Sequence, residues 1–174
     1  IADLAKLAAR RFILGPIANV FARTATRVNL IEVEDCASVS LQMADGSLAA
    51  MSVTLGSAVE ITRHRFCFSN LTAESNTEAY RNSHDPWTFS GATPAASADI
   101  EAALQEFVPL PEHYAGQFYR FYQTVTTGAP LPVTLDDSRA SIELLAAMYY
   151  SSRSGEAVAL PMGSDHPYYA GWLP

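Results

Sequence analysis

Val133–Pro161, VTLDDSRASIELLAAMYYSSRSGEAVALP, reads as one complete helix with marked ends running into a strand. Thr134 is a polar residue able to accept the first free amide hydrogens of a helix, and Asp137 follows three residues later, a variant of the capping box. Asp136 and Asp137 then lie at the positive end of the helix dipole. Ile142, Leu145, Ala146 and Tyr149 recur at helical spacing and form the expected buried stripe. Arg153 suits the last turn, and Gly155 suits the left-handed residue that ends a helix. Glu156 to Leu160 then predicts a short strand stopped by Pro161.

Upstream of this stretch the periodicity changes from helical to alternating. Ile17 to Val28 is rich in β-branched and aromatic residues and predicts a long strand after the Gly15-Pro16 break. Cys36 to Met43 alternates, with Ala37, Val39, Leu41 and Met43 on one face and Cys36, Ser38, Ser40 and Gln42 on the other. Ala44-Asp45-Gly46-Ser47 is a hairpin turn, and Leu48 to Leu55 returns antiparallel. Glu60 to Ser69 predicts a further strand in the same meander. Asn70 to Pro111 has no regular pattern beyond Trp87-Thr88-Phe89 and Phe107-Val108, and reads as a long functional loop. A helix from Pro111 to Gly128 carries Tyr114, Phe118, Phe121, Tyr122 and Val125 as a stripe expected to pack on the sheet. The element order implies an α+β fold: an open, mainly antiparallel sheet with helices on one face.

At 174 residues the chain suits a single domain spanning 1–174. The net charge of −7 and pI near 4.9, with 11 scattered basic residues, argue against a nucleic-acid partner. No apolar run approaches the roughly 20 residues of a membrane helix, and no signal peptide is recognisable, so a soluble cytoplasmic protein is expected. Cys36 and Cys67 lie in apolar strand-like runs and are expected to be two buried, reduced thiols. Ile1 to Arg10 repeats Leu4, Leu7 and Ala8 with helical period but has neither an initiator Met nor a cap. The sequence thus opens as though in mid-helix, as a fragment would.

None of the glycine-rich nucleotide loops, zinc-protease helices or nucleophile-elbow motifs is present in the sequence. His64, His84, His113 and His166 are widely separated, and no metal site is predicted. Arg63-His64-Arg65 puts two arginines on one strand face, able to bind a carboxylate or polyol oxygen, or to pair with acidic residues at a sheet edge. Glu34-Asp35 reads as turn chemistry. Asn70 to Asn76, with Glu74, Ser75 and Asn76, is dense in the groups that hold sugar hydroxyls and that also populate ordinary loops; the same applies to His84 and Asp85. Asp165-His166-Pro167-Tyr168-Tyr169 is aromatic for a tail and is expected to dock, on its own body or on a partner's. The candidate substrate-binding residues are Arg63, His64, Glu74, Asn76, His84 and His166.

Val33-Glu34-Asp35-Cys36-Ala37, then Met43 to Leu48, then Pro132 to Arg139 continuing to Pro161, resemble the C-terminal domain of the glucose–fructose oxidoreductase, inositol dehydrogenase and rhizopine-catabolism (Gfo/Idh/MocA) family. The most specific part is Ser151-Ser152-Arg153-Ser154-Gly155 with the Val158 to Pro161 strand. Phe66 to Asn76 and Asp165-His166-Pro167 resemble a bacterial subgroup. The resemblance implies a dihydrodipicolinate-reductase-like sheet and an NAD(P)-dependent oxidoreductase acting on a sugar, polyol or derivative. It places the nucleotide, NAD or NADP, and a Glu-Lys-Pro motif in an N-terminal Rossmann domain missing from this chain, and the acid/base histidine just before Ile1. No catalytic role is carried onto Asp3. The chain itself would bind no cofactor, contribute substrate orientation, be inactive alone, and form a homo-oligomer through its sheet face. The competing reading is a non-enzymatic binding or assembly module that uses Ser38, Ser40 and Gln42 as its interface.

Overall fold

The computed structural model describes residues 13–81, 84, 86–111 and 113–171. The helical pattern of Ile1 to Arg10, Asp3 and Asp85 lie outside the described residues, as does the side chain of His113. The elements are β1 (Ile17–Ala25), β2 (Cys36–Met43), β3 (Leu48–Thr54), β4 (Arg65–Cys67), β5 (Leu71–Glu74), β6 (Thr88–Gly91), α1 (Pro94–Glu106), α2 (His113–Thr127), α3 (Leu135–Ser154) and β7 (Val158–Ala159). They divide between two compact units, one formed by residues 1–57 with 133–174 and one by residues 58–132.

The first unit is an antiparallel sheet of order β3-β2-β1-β7 with α3 against one face. Val20 stands opposite Leu41, and Val39 opposite Met51, so the period-two alternation of three strands points to one side. Val20, Ala22, Val39, Leu41, Met43 and Met51 meet Leu144, Ala146, Ala147, Met148 and Val158 in the core. At the hairpin the Asp45 carboxylate accepts the Ser47 N–H at 2.9 Å and the Ser47 hydroxyl at 2.7 Å, while Gly46 supplies the positive φ of 88°.

The ends of α3 are as the sequence predicts. Thr134 and Asp137 cap each other reciprocally, and Gly155 adopts φ 76°. Its buried residues are Leu144, Ala146, Ala147, Met148 and Ser151. Of the stripe read from the sequence, Ala146 is buried and Leu145 packs against the core, while Ile142 is 54% exposed.

The serine has a structural reason. β7 pairs with β1 only at Asn19 and Val20, and the Leu160 N–H reaches the Ala18 carbonyl. Beyond that point the same edge of β1 presents the N–H groups of Ala22 and Thr24. The fully buried Ser151 hydroxyl accepts the first at 2.9 Å and donates to the Glu156 carbonyl at 2.6 Å; the Ser152 hydroxyl accepts the second at 2.9 Å. A helix end thus stands in for the missing length of strand.

Asp35, buried between β1 and β2, accepts the N–H groups of Arg27, Val28 and Asn29 at 2.7–2.8 Å and folds the connection around itself. Those bonds, Asn29's foremost, hold its carboxyl well below the usual carboxylate range.

The second unit holds the three-stranded antiparallel sheet β4-β5-β6, with α1 packed on β6. The strand expected over Glu60 to Ser69 is reduced to β4 and an isolated bridge between Ile61 and Glu78, and it belongs to this separate sheet. The stretch expected to be an irregular loop contains β5, β6 and α1. α1 begins with a Thr93 side-chain cap and Pro94 in the first turn. Gly91 lets the helix approach, since a methyl group there would lie 2.5 Å from the Ser97 nitrogen. The aromatic stripe of α2 does not pack on a sheet as expected: Tyr114, Phe118, Phe121, Tyr122 and Val125 are all more than half exposed. Both cysteines are free thiols, but Cys36 is half-buried and Cys67 exposed, because each occupies an outward position of its strand.

Ser151→Ala leaves the buried Ala22 N–H without a partner and should lower unfolding stability by about 1–3 kcal/mol in urea titration, with Ser152→Ala costing less. Asp35→Asn should destabilise the chain at neutral pH. Because the folded-state pKa is depressed, the wild-type advantage is complete above the unfolded carboxylate value of about 3.9 and shrinks as pH falls below it. Thermal melts of both proteins across that range should therefore converge in acid.

Candidate functional site

Five of the six candidate residues gather in the second unit, around one small sheet. β5 carries Ala73, and Ser75 follows directly after the strand; each is 7% exposed. Their small side chains leave room for rings from the flanking strands. His64 and Phe66 approach from one side, and Trp87 and Phe89 from the other. The rings form a row of near-parallel neighbours with centroids 6.2, 6.4 and 6.3 Å apart. Sequence reading singled out His64 but not this row, although Trp87-Thr88-Phe89 and Phe66 carry the alternation that places them on one face.

On the opposite face Arg63 and Arg65 flank Glu74 at 3.6 and 3.8 Å. Of the two readings of the arginine pair, pairing with an acidic residue is the one observed. Both arginine side chains remain about three-fifths exposed, at 60% and 62%, so one carboxylate shared between two cations leaves a net positive, donor-rich patch. Such a patch can orient a carboxylate or a polyol oxygen.

The polar groups of Asn76 and Ser75 are spent on the fold. Ser75 Oγ accepts the His64 N–H at 2.9 Å and donates to the Asn76 carbonyl at 2.7 Å. The Asn76 side chain donates to the carbonyls of His84, at 2.7 Å, and Arg81, at 3.2 Å, and accepts the Glu78 N–H at 2.8 Å. Asn76 therefore pins the loop that presents His84.

His166 is not with the others in the second unit. It belongs to the tail of the first unit, where its ring meets Tyr150 edge-on at 4.6 Å and its Nδ1 accepts the Tyr168 N–H at 3.1 Å. Arg153 donates to the Tyr168 hydroxyl at 2.7 Å, and the Met162 N–H reaches Glu143 at 2.9 Å. The aromatic tail thus docks on its own unit. Glu34, read as turn chemistry, accepts the Tyr149 hydroxyl at 2.6 Å. Burial and this bond to a carboxylate push the Tyr149 phenol up to about 12. It stays protonated at neutral pH and acts as a brace.

The four-stranded antiparallel sheet backed by one capped helix is the α+β architecture of the C-terminal domains of Gfo/Idh/MocA-type oxidoreductases, as the resemblance implied. No protein-family model and no curated protein matches the sequence. Among solved structures, the WlbA dehydrogenase from Bordetella pertussis in complex with NADH and UDP-GlcNAcA is similar with a TM-score of 0.72 at 19% identity, over 93% of this chain and 46% of that one. The WlbA enzyme from Chromobacterium violaceum, with the same two ligands, has a TM-score of 0.72 at 25% identity, over 93% and 45% of the two chains. The aldose-aldose oxidoreductase from Caulobacter crescentus, complexed with glycerol, has a TM-score of 0.66 at 20% identity, over 90% and 45%. The chain spans about half the length of these oxidoreductases.

In a spectrophotometric alkaline titration, one phenol should ionise near pH 12. Tyr149→Phe should remove that step; a step that persists there in the variant would reassign it.

Proposed function

We propose that this chain is the substrate-binding domain of an NAD(P)-dependent oxidoreductase acting on a sugar, polyol or sugar derivative, and that it has no turnover by itself. The observation that carries this reading is the likeness of more than nine-tenths of the chain to about half of dehydrogenases solved with NADH and a nucleotide sugar. The sequence has no glycine-rich turn of the kind that cradles a pyrophosphate at a helix N-terminus, so the residues present do not fit a dinucleotide site. The reading assigns NAD or NADP to a Rossmann domain outside this chain.

What the chain contributes is orientation. Arg63, Arg65 and Glu74 offer adjacent donors and an acceptor, the pattern that recognises neighbouring hydroxyls or a sugar carboxylate. The reading takes His64 and the ring row as a second candidate surface on the reverse face, and His84 as a further candidate on the loop that Asn76 holds. His166 serves here by anchoring the tail. The outward face of the four-stranded sheet, with Ser38, Ser40 and Gln42 exposed, is assigned to contact between copies, since an uncovered sheet face favours association.

Titrating NADH and NADPH into the purified chain should give no micromolar binding. Tight binding of either would overturn the assignment of the cofactor to another domain. Light scattering at high concentration should show a dimer or larger assembly that Ser40→Arg disrupts, whereas a strictly monomeric wild type would remove the sheet-face contact from the proposal.

A further inference from the structure

The groove between α3 and the C-terminal tail has a polar pair in its wall that the fold only half uses. Glu143 has a side chain only 10% exposed, yet its Oε1 alone takes both contacts, the Met162 N–H at 2.9 Å and Arg139 at 3.3 Å. Its Oε2 has no partner among the described residues. Arg139 is 59% exposed at the rim and has no other ion pair or hydrogen bond among the described residues. A buried carboxylate oxygen left without a donor is costly, and its best compensation is a ligand hydrogen bond.

Two clefts meet at this pair. The larger, of about 410 Å3, adds Ile142, Met162, Tyr168 and Tyr169; a smaller one, of about 190 Å3, lies against the Leu160–Pro161 turn. The larger falls in the size range of small-molecule sites, and its apolar and aromatic walls with a few converging polar groups have the usual character of one.

The charges of the pair select the ligand. Arg139 beside the carboxylate disfavours a second cation, and Glu143 beside the guanidinium disfavours an anion. A neutral hydroxyl both donates and accepts, so it can satisfy Oε2 while taking a guanidinium N–H. The C–H faces of a ring suit the tyrosine and methionine walls. We infer that this cleft binds a neutral cyclic polyol or monosaccharide, at a site belonging to the first unit and separate from Arg63, Arg65 and Glu74.

The test is heteronuclear NMR on the full chain with myo-inositol as the probe. Inositol should shift the resonances of Ile142, Glu143, Tyr168 and Tyr169, and both Glu143→Gln and Arg139→Met should weaken that binding about tenfold. Glu143→Gln keeps an acceptor for Met162; should it still unfold by circular dichroism, Arg139→Met, which leaves the tail anchor untouched, decides alone. No shift at the solubility limit of inositol would overturn the inference. So would unchanged affinity in a folded variant, or larger shifts of the same resonances with benzylamine or benzoate.

Discussion

Two serine hydroxyls at the end of a helix complete the edge of a sheet, and the first unit depends on that substitution of side chain for backbone. β7 is only two residues long, and without Ser151 and Ser152 the β1 edge would carry unpaired N–H groups inside the protein. Because a hydroxyl reaches only a short distance, the arrangement demands that the end of α3 lie against β1. Small side chains favour that closeness, and Ala146, Ala147 and Ser151 are among the most buried residues of the helix beside Leu144 and Met148. The Gly155 turn then reverses the chain so that Val158 can enter the core.

The second unit solves a different problem with the same economy. Its three strands are short, and much of its polar complement is consumed internally: Ser75 extends the β4–β5 pairing to His64, and Asn76 closes the following loop. Two arginines share a single glutamate and keep exposed donors. Residues that look alike in sequence, a loop asparagine and a strand arginine, thus differ once their partners are known: the first is spent on the fold and the second is only partly paired.

Local chemistry was readable where it acts over a few residues. The Thr134–Asp137 box, the Gly155 cap, the Asp45-Gly46 hairpin and the alternation of Cys36 to Met43 each depend on neighbours close in the chain, and each is found. The misreadings have a common cause in longer-range contact. Burial of Leu144 in preference to Ile142 depends on which side of α3 the sheet lies, and the exposure of the α2 aromatics depends on which elements pack beside that helix. α1 was legible from Thr93-Pro94 but was masked by the small, weakly apolar residues that follow. The candidate site was legible as a set of residue types in one stretch; the departure of His166 from that set, and the row of rings, required the fold.

α3 also acts as a ruler. Its two caps fix 20 residues between them, a length of about 30 Å. Inserting one residue would turn everything beyond it by about 100°, carrying the serine hydroxyls off the strand edge at the same moment as the methionine and leucine left the core. A length change inside α3 would therefore undo the edge and the core together, so the distance from Thr134 to Gly155 sets the register of the whole first unit.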